Sequence, residues 1–319
     1  MNRHVLGIDI GGTNTALGIV NARGEILASG NISTRGHRTF EDFARAVLAE
    51  TRRICDEASL EMPEAIGVGA PSGNISNGMI ERTANLEWPT PLPAAKILSE
   101  VFGVPVAVSN DANAAAIGEM TYGAARGLSD FIMITLGTGV GSGVVCDGRL
   151  ITGREGLAGE LGHIIVRRGG RHCGCGRNGC LETYTSATGV VRTIRQMLAE
   201  NPDEPSALRD IPDGELTSLA AYEAAMAGDA LAQRVFEFTG TVLGEALADF
   251  ASFTSPKAFV LFGGLAHSGE LLLKPLRKAF EENALFFHTG GKVDILLSQL
   301  PSAHAALLGA SAIAWHAAG

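Results

Sequence analysis

With 319 residues, 46% of them hydrophobic and only 18% charged, the chain is long enough for two domains and apolar enough to bury a large core. A formal net charge of −9 and a pI near 5.4 speak against nucleic acid or an anionic membrane as partner, because phosphate contacts need surplus Lys and Arg. No apolar run approaches the roughly 20 residues of a membrane-spanning helix. The first apolar strand begins by residue 5, leaving no room for a leader, so a cytoplasmic location is expected.

The chain opens with V-L-G-I-D-I, then G-G-T-N-T, then A-L-G-I-V and E-I-L-A-S-G, a pattern of strand, glycine loop, strand, turn and strand. The spacing of Phe40, Phe43, Val47, Ile54 and Ala58 predicts a helix from Phe40 to about Leu60, with Thr39 as N-cap and Cys55 on its apolar face. A buried strand at 65–70 runs into P-S-G-N, and a polar, proline-rich passage follows. A helix at 93–102 and a strand at 104–109 lead to N-D-A-N and a further helical run. Strands alternating with helices indicate an α/β fold with a largely parallel sheet.

The pattern then repeats. F-I-M-I-T-L, G-T-G-V-G, S-G-V-V-C, the turn D-G and R-L-I-T-G restate strand, glycine loop and hairpin, so residues 5–30 and 131–153 suggest an internal duplication whose two loops face one cleft. Helical spacing dominates near 187–200, 217–227, 229–253 and 270–283, with a buried strand A-F-V-L-F-G-G-L between the last two. A final apolar helix, about 304–319, is expected to pack back on the first domain (1–115), leaving 116–303 as a larger second one.

Three of the five cysteines, Cys173, Cys175 and Cys180, fall within eight residues, with His163 ten residues upstream. C-x-C-x₄-C with interleaved glycines suits a closed, structural Zn²⁺ site of the Cys₃His kind. Glu160 and Glu182 bracket this knot. They suit a polyol site, or simple pairing with Arg167, Arg168, Arg171 or Arg177. His163 has one nitrogen for the metal and another for a hydroxyl.

D-I-G-G-T-N-T is neither G-x-G-x-x-G nor a Walker loop, and a hairpin follows it, which disfavours both dinucleotide and P-loop folds. Its glycines still permit close approach of a phosphate to the backbone, and Asp9 at the strand end suits a hydrated Mg²⁺. Asp111, between a strand and a helix, suits either a helix N-cap or a carboxylate accepting a hydroxyl proton, with the Asn110 and Asn113 amides beside it.

Taken together, D-I-G-G-T-N-T at 9–15, N-D-A-N at 110–113, L-G-T-G-V-G-S-G at 136–143, E-G-L-A-G-E-L-G-H at 155–163, C-G-C-G-R-N-G-C-L-E at 173–182 and F-G-G at 262–264 resemble the ROK family of sugar kinases and repressors, in the actin/hexokinase-like ATPase superfamily. The resemblance implies two actin-like (ribonuclease H-like) domains closing over ATP, and phosphorylation of a hexose at its 6-hydroxyl. Glucose is the first candidate, with N-acetylglucosamine, N-acetylmannosamine, allose and fructose as alternatives. It implies Asp111 as general base, and Ser72 or Gly73, Asn85, Asn110, Glu160, His163 and Glu182 as sugar contacts. Asp9, Gly11, Gly12, Thr13, Asn14, Gly137, Thr138, Gly139, Gly263 and Gly264 would serve ATP and its Mg²⁺. His163, Cys173, Cys175 and Cys180 would hold zinc, and the assembly would be a homodimer. Ser72 stands where many members carry glycine. The family's repressors add an N-terminal DNA-binding domain; with a first strand beginning by residue 5 a kinase is expected, a sugar-sensing regulator without that domain being the alternative of another class, and the zinc motif and E-L-G-H argue against other ATPases of the superfamily.

Overall fold

A computed structural model describes residues 3–82, 86–301 and 304–317. The first five-stranded sheet contains β1 (His4–Ile10), β2 (Asn14–Asn21), β3 (Ile26–Ser33), β4 (Ile66–Gly69) and β7 (Val106–Ser109) in the order β3-β2-β1-β4-β7. The short β5 (Gly73–Asn74) and β6 (Met79–Ile80) form a separate hairpin. The second sheet, ordered β10-β9-β8-β11-β12, comprises β8 (Phe131–Leu136), β9 (Val140–Cys146), β10 (Arg149–Leu150), β11 (Ala258–Phe262) and β12 (Asp294–Leu297). Each sheet is mixed rather than largely parallel. β1 to β3 run antiparallel, as do β8 to β10, while β4 and β7, or β11 and β12, join in parallel. The reason lies in the connections, because turns of two to four residues can only make hairpins, whereas the parallel partners need helical crossovers.

The helices are α1 (Phe40–Ala58), α2 (Ala94–Phe102), α3 (Asp111–Tyr122), α4 (Glu182–Thr185), α5 (Ala187–Glu200), α6 (Ser218–Met226), α7 (Ala230–Thr254), α8 (Glu270–Asn283) and α9 (Ala305–Ala317). Thr39 caps α1 as its spacing predicted, accepting the Asp42 amide. The second hairpin turns on Asp147 (φ 51°) and Gly148 (φ 67°), the paired left-handed conformation of a type I′ turn. The strand expected at R-L-I-T-G shrinks to Arg149–Leu150, after which the chain leaves the sheet for the loop that carries Glu160.

Two cores hold these layers. One collects Leu6, Ile8, Leu17, Phe40, Phe43, Val68 and Trp88 around the first sheet, and a larger one gathers Ile132, Ile134, Phe236, Leu247, Phe259 and Phe280 around the second. Helix α9 returns to the first sheet. A Cβ on Gly67 would stand 1.9 Å from the Ala310 carbonyl oxygen, and one on Gly7 2.5 Å from that of Leu307, so backbone meets backbone there and only glycine fits.

Candidate active site

Helix α3 starts the site. Its N-cap is Asn110, whose side chain accepts the Asn113 amide at 2.8 Å, so the capping role first considered for Asp111 belongs to its neighbour. Asp111 is the first helical residue instead. Its carboxylate is therefore free of the cap and opens into a cavity of about 400 Å³ lined by Asn110, Asp111, Gly137, Thr138, Gly139, Ser142, Glu160, Glu182 and Gly263, among others. A second cavity of about 1010 Å³ adjoins it, sharing Asn110 and Glu160 and adding Ser72, Gly73, Asn77, Glu81, Arg82, Thr90, Pro91, Arg154 and Glu155. Polar and charged groups converge on both spaces, which suits a ligand rich in hydroxyls and phosphates.

The two cavities bring most of the expected residues together. Gly11, Gly12, Thr13 and Asn14 are not in either lining; they form the tight β1–β2 turn, closed by the Gly11 amide on the Asn14 carbonyl at 3.0 Å. Asp9 precedes that turn at the end of β1, near enough to Asp111 for their charges to interact. Burial first, and then the Asp111 charge, raise the Asp9 pKa to about 6. Desolvation by the surrounding protein also raises Asp111, although its side chain opens onto the cavity. Asn85 lies outside the described residues. Gly264 opens a short 3₁₀ turn beyond Gly263, whose φ of 103° holds the β11 exit against the Leu136 backbone.

Two loops needed the tertiary structure to be understood. At 72–74, Ser72 takes φ 55°, a left-handed conformation that glycine adopts without strain. That is the physical reason glycine suits its position. Gly73 packs on the Ser109 carbonyl, where a Cβ would approach to 2.3 Å. Asn74 is buried and was not singled out from sequence. Its side-chain amide donates to the Glu155 carbonyl at 2.7 Å and to Glu81 at 3.1 Å, tying the first sheet's loop to the 154–156 segment across the larger cavity. The Glu160 segment is fastened by Ser142, whose hydroxyl donates to the Gly159 carbonyl and accepts the Leu161 amide at 3.0 Å. Arg82, Thr90, Pro91, Arg154 and Glu155 were also missed. They sit in loops without periodicity, so only their convergence in space marks them.

The cysteine knot supplies the far wall. Ligand atoms of His163, Cys173, Cys175 and Cys180 all lie within 4.8 Å of one another. The Cys175 and Cys180 sulfurs are 3.6 Å apart, as are the Cys173 sulfur and His163 Nδ1. A tetrahedron with Zn–S bonds of about 2.3 Å has edges of about 3.8 Å, so the donor set and its spacing fit that ion. His163 turns Nδ1 toward the thiols and lines neither cavity. Hydrogen bonds from the Arg177 backbone and side chain, with the neighbouring thiols, lower Cys175 to about 6, while burial pushes Cys173 up to about 12 and raises Cys180. Glu182 joins knot to cavity. One oxygen accepts from the Cys173 thiol at 2.9 Å, and the other would stand 2.9 Å from a Cβ on Gly139. Three of the arginines weighed as its partners are engaged elsewhere, Arg177 donating to the His163 carbonyl. Arg167 pairs with Glu245, and Arg171 lies over Tyr184 and donates to Thr183, Gly189, Thr193 and Gln196.

The family model described as "ROK family" matches residues 5–317. The chain belongs to the ROK family. It is 37% identical over 290 residues to a glucokinase of Halalkalibacterium halodurans, covering 89% of this chain and 87% of that protein. Among solved structures, a ROK family glucokinase of Streptomyces griseus in complex with glucose and AMPPNP superposes with a TM-score of 0.77 at 35% identity, covering 98% of this chain and 99% of the other. A ROK hexokinase of Thermus thermophilus gives 0.79 at 30% identity, with 98% of each chain covered. The mixed α/β fold is thus that of the ROK sugar kinases. Among the described residues, no helix is long and apolar enough to cross a membrane.

Proposed function

We propose that the chain is an ATP-dependent hexokinase that phosphorylates glucose at its 6-hydroxyl. The observation that carries the reading is the placement of Asp111. Its carboxylate, unpaired among the described residues, stands at the start of α3, in a cavity shared with the Gly137–Gly139 loop and adjoining a larger, hydroxyl-compatible space. In phosphoryl transfer the protein mainly positions the reactants and offsets charge. Asp111 accepts the proton of the attacking hydroxyl, while Asn110, Glu160 and Glu182 hold the neighbouring hydroxyls, with Asn85 and the Ser72–Gly73 turn as further sugar contacts. The Gly11–Asn14 and Gly137–Gly139 loops offer backbone amides to the donor phosphates, Gly263 and Gly264 flank the nucleoside, and Asp9 holds a hydrated Mg²⁺. Residues 1–115 with the C-terminal helix and residues 116–303 act as the two closing bodies.

His163, Cys173, Cys175 and Cys180 would hold Zn²⁺. With four protein donors and no open position, the ion would supply folding energy and rigidity, and no reaction chemistry. What the knot does for the sugar is set by Glu182, whose one carboxylate oxygen lies against the knot at Cys173 and His163 and whose other lies against the Gly139 loop. A cytoplasmic homodimer completes the proposal, and light scattering measures the assembly.

The test is coupled ADP release with Mg²⁺ and ATP across a panel of glucose, mannose, fructose, allose and the N-acetylated hexosamines. Glucose should give the highest kcat/KM. A preference for an N-acetylated sugar would retain the kinase and overturn the substrate. ATP hydrolysis indifferent to every sugar would overturn the reading altogether.

A further inference from the structure

The two glycine loops that receive the donor in the reading above, D-I-G-G-T-N-T and G-T-G-V-G-S-G, contain no Lys or Arg. A nucleoside triphosphate bound there would meet backbone amides but no cationic side chain from either loop. Arg35 stands where one is wanted. It follows β3, where the Thr34 amide donates to the Thr13 carbonyl at 2.8 Å and the buried Thr15 and Thr34 hydroxyls bond at 2.8 Å. The neighbouring residue is thereby pinned to the phosphate turn. From it, Arg35 Nε donates to the Gly12 carbonyl at 3.1 Å. Nη1 and Nη2 make no hydrogen bond among the described residues, and the side chain is 60% exposed. One acid is close. Glu87 lies 3.9 Å from Arg35 Nε and also accepts the Gly36 amide at 3.4 Å. Its backbone is steadied by Trp88, which packs between Phe40 and Phe43 and donates to the His37 carbonyl at 3.3 Å.

We propose that Arg35 is a donor-binding residue: it braces the Gly12 carbonyl through Nε and offers its two terminal amino groups to the outer phosphates of the bound nucleoside triphosphate. The proposal rests on the reading that the Gly11–Asn14 turn receives the donor phosphates. A planar guanidinium already held at one edge presents a preorganised fork, and charge-assisted hydrogen bonds to phosphate are stronger than neutral ones. Glu87 is the counter-charge that occupies the guanidinium when no nucleotide is present. It opposes the phosphates by like charge when one is bound.

The geometry therefore sets two variants in opposite directions, and both residues are exposed enough to change without loss of the fold. Calorimetric titration of the full chain with adenosine, ADP and ATP in the presence of Mg²⁺ reads the effect without turnover. Arg35→Ala should weaken ATP by about ten- to hundredfold, ADP by less, and leave adenosine and glucose unchanged. Arg35→Lys should recover part of the loss, and Glu87→Gln should tighten ATP by about two- to fivefold. Equal weakening of adenosine and ATP would show that Arg35 only braces the loop and would overturn the proposal, as would unaltered ATP affinity in Arg35→Ala. A wild-type chain that binds ATP through Arg35 but phosphorylates no hexose would instead sink the hexokinase reading alone.

Discussion

Replacing Asp9 by Asn should make the protein more stable and less active at the same time. The folded-state pKa of Asp9 is raised from 3.8 to about 6, first by burial and then by the charge of Asp111. A carboxyl raised in this way is undemanding while protonated in both states, below about pH 3.8. The cost builds as pH rises from about 3.8, where the unfolded chain ionises, to about 6, where the folded group ionises too, and stays level above that. At pH 8 the cost is the full span between the two values, about 3 kcal/mol at about 1.4 kcal/mol per pH unit. Asn has nearly the same shape and carries no charge, so Asp9→Asn should recover most of that energy, seen as a rise of several degrees in the melting temperature at pH 8. The gain should fall as pH is lowered from about 6 toward 3.8. Thermal melts of both proteins between pH 5 and pH 8 give the difference directly. Mg²⁺ should then raise the melting point of the nucleotide complex of the parent more than that of the variant, since a ligand stabilises only the state that binds it. A difference in stability that is zero or negative at pH 8, or one independent of pH, would refute both the raised pKa and the view that the first sheet bears a cost to keep a carboxylate at the phosphate turn.

Asp111→Asn should lower kcat by about two to four orders of magnitude, the usual share of a general base, with little change in the melting point. In the parent, burial raises this carboxyl, so the rate should fall with decreasing pH along a limb lying above the ordinary carboxylate range, as coupled assays across pH would show. Cys175→Ser, or prolonged chelation of the parent, should lower zinc content, melting temperature and glucose affinity together, because the knot holds Glu182. Zinc retained at full stoichiometry in the variant would count against Cys175 as a ligand. Ser72→Gly should raise stability by up to about 1 kcal/mol by relieving the left-handed φ of 55°, measured by denaturant unfolding. A loss of that size would mean the Ser72 hydroxyl makes a compensating contact.

Features carried by local spacing were legible from the residues alone. The α1 stripe and its Thr39 cap, the two strand–loop–hairpin units, the Asp-Gly turn and the Cys-x-Cys-x₄-Cys knot all depend on interactions between residues close in sequence, where periodicity and turn chemistry act directly. Helix α3 shows the edge of that legibility. N-D-A-N announced a helix start, but which of two adjacent residues caps it was settled by the Asn110 side chain turning back to the Asn113 amide, which leaves Asp111 free to face the cavity. The direction of each sheet's strands followed from loop length rather than from strand composition, so the largely parallel expectation failed at the hairpins.

Convergence of segments far apart in the chain was the part only the tertiary structure decided. Asn74 reaching the Glu155 carbonyl, Arg35 reaching the Gly12 carbonyl and α9 laying its backbone on Gly7 and Gly67 join residues with no common period. Loops carry no repeating pattern to betray what they face, since their side chains are selected by a ligand or a distant backbone group rather than by their own neighbours. The chain's local chemistry determined that there would be a duplicated α/β fold with a cysteine knot and a carboxylate at a helix start. The packing of its two sheets determined which groups share a cavity with that carboxylate.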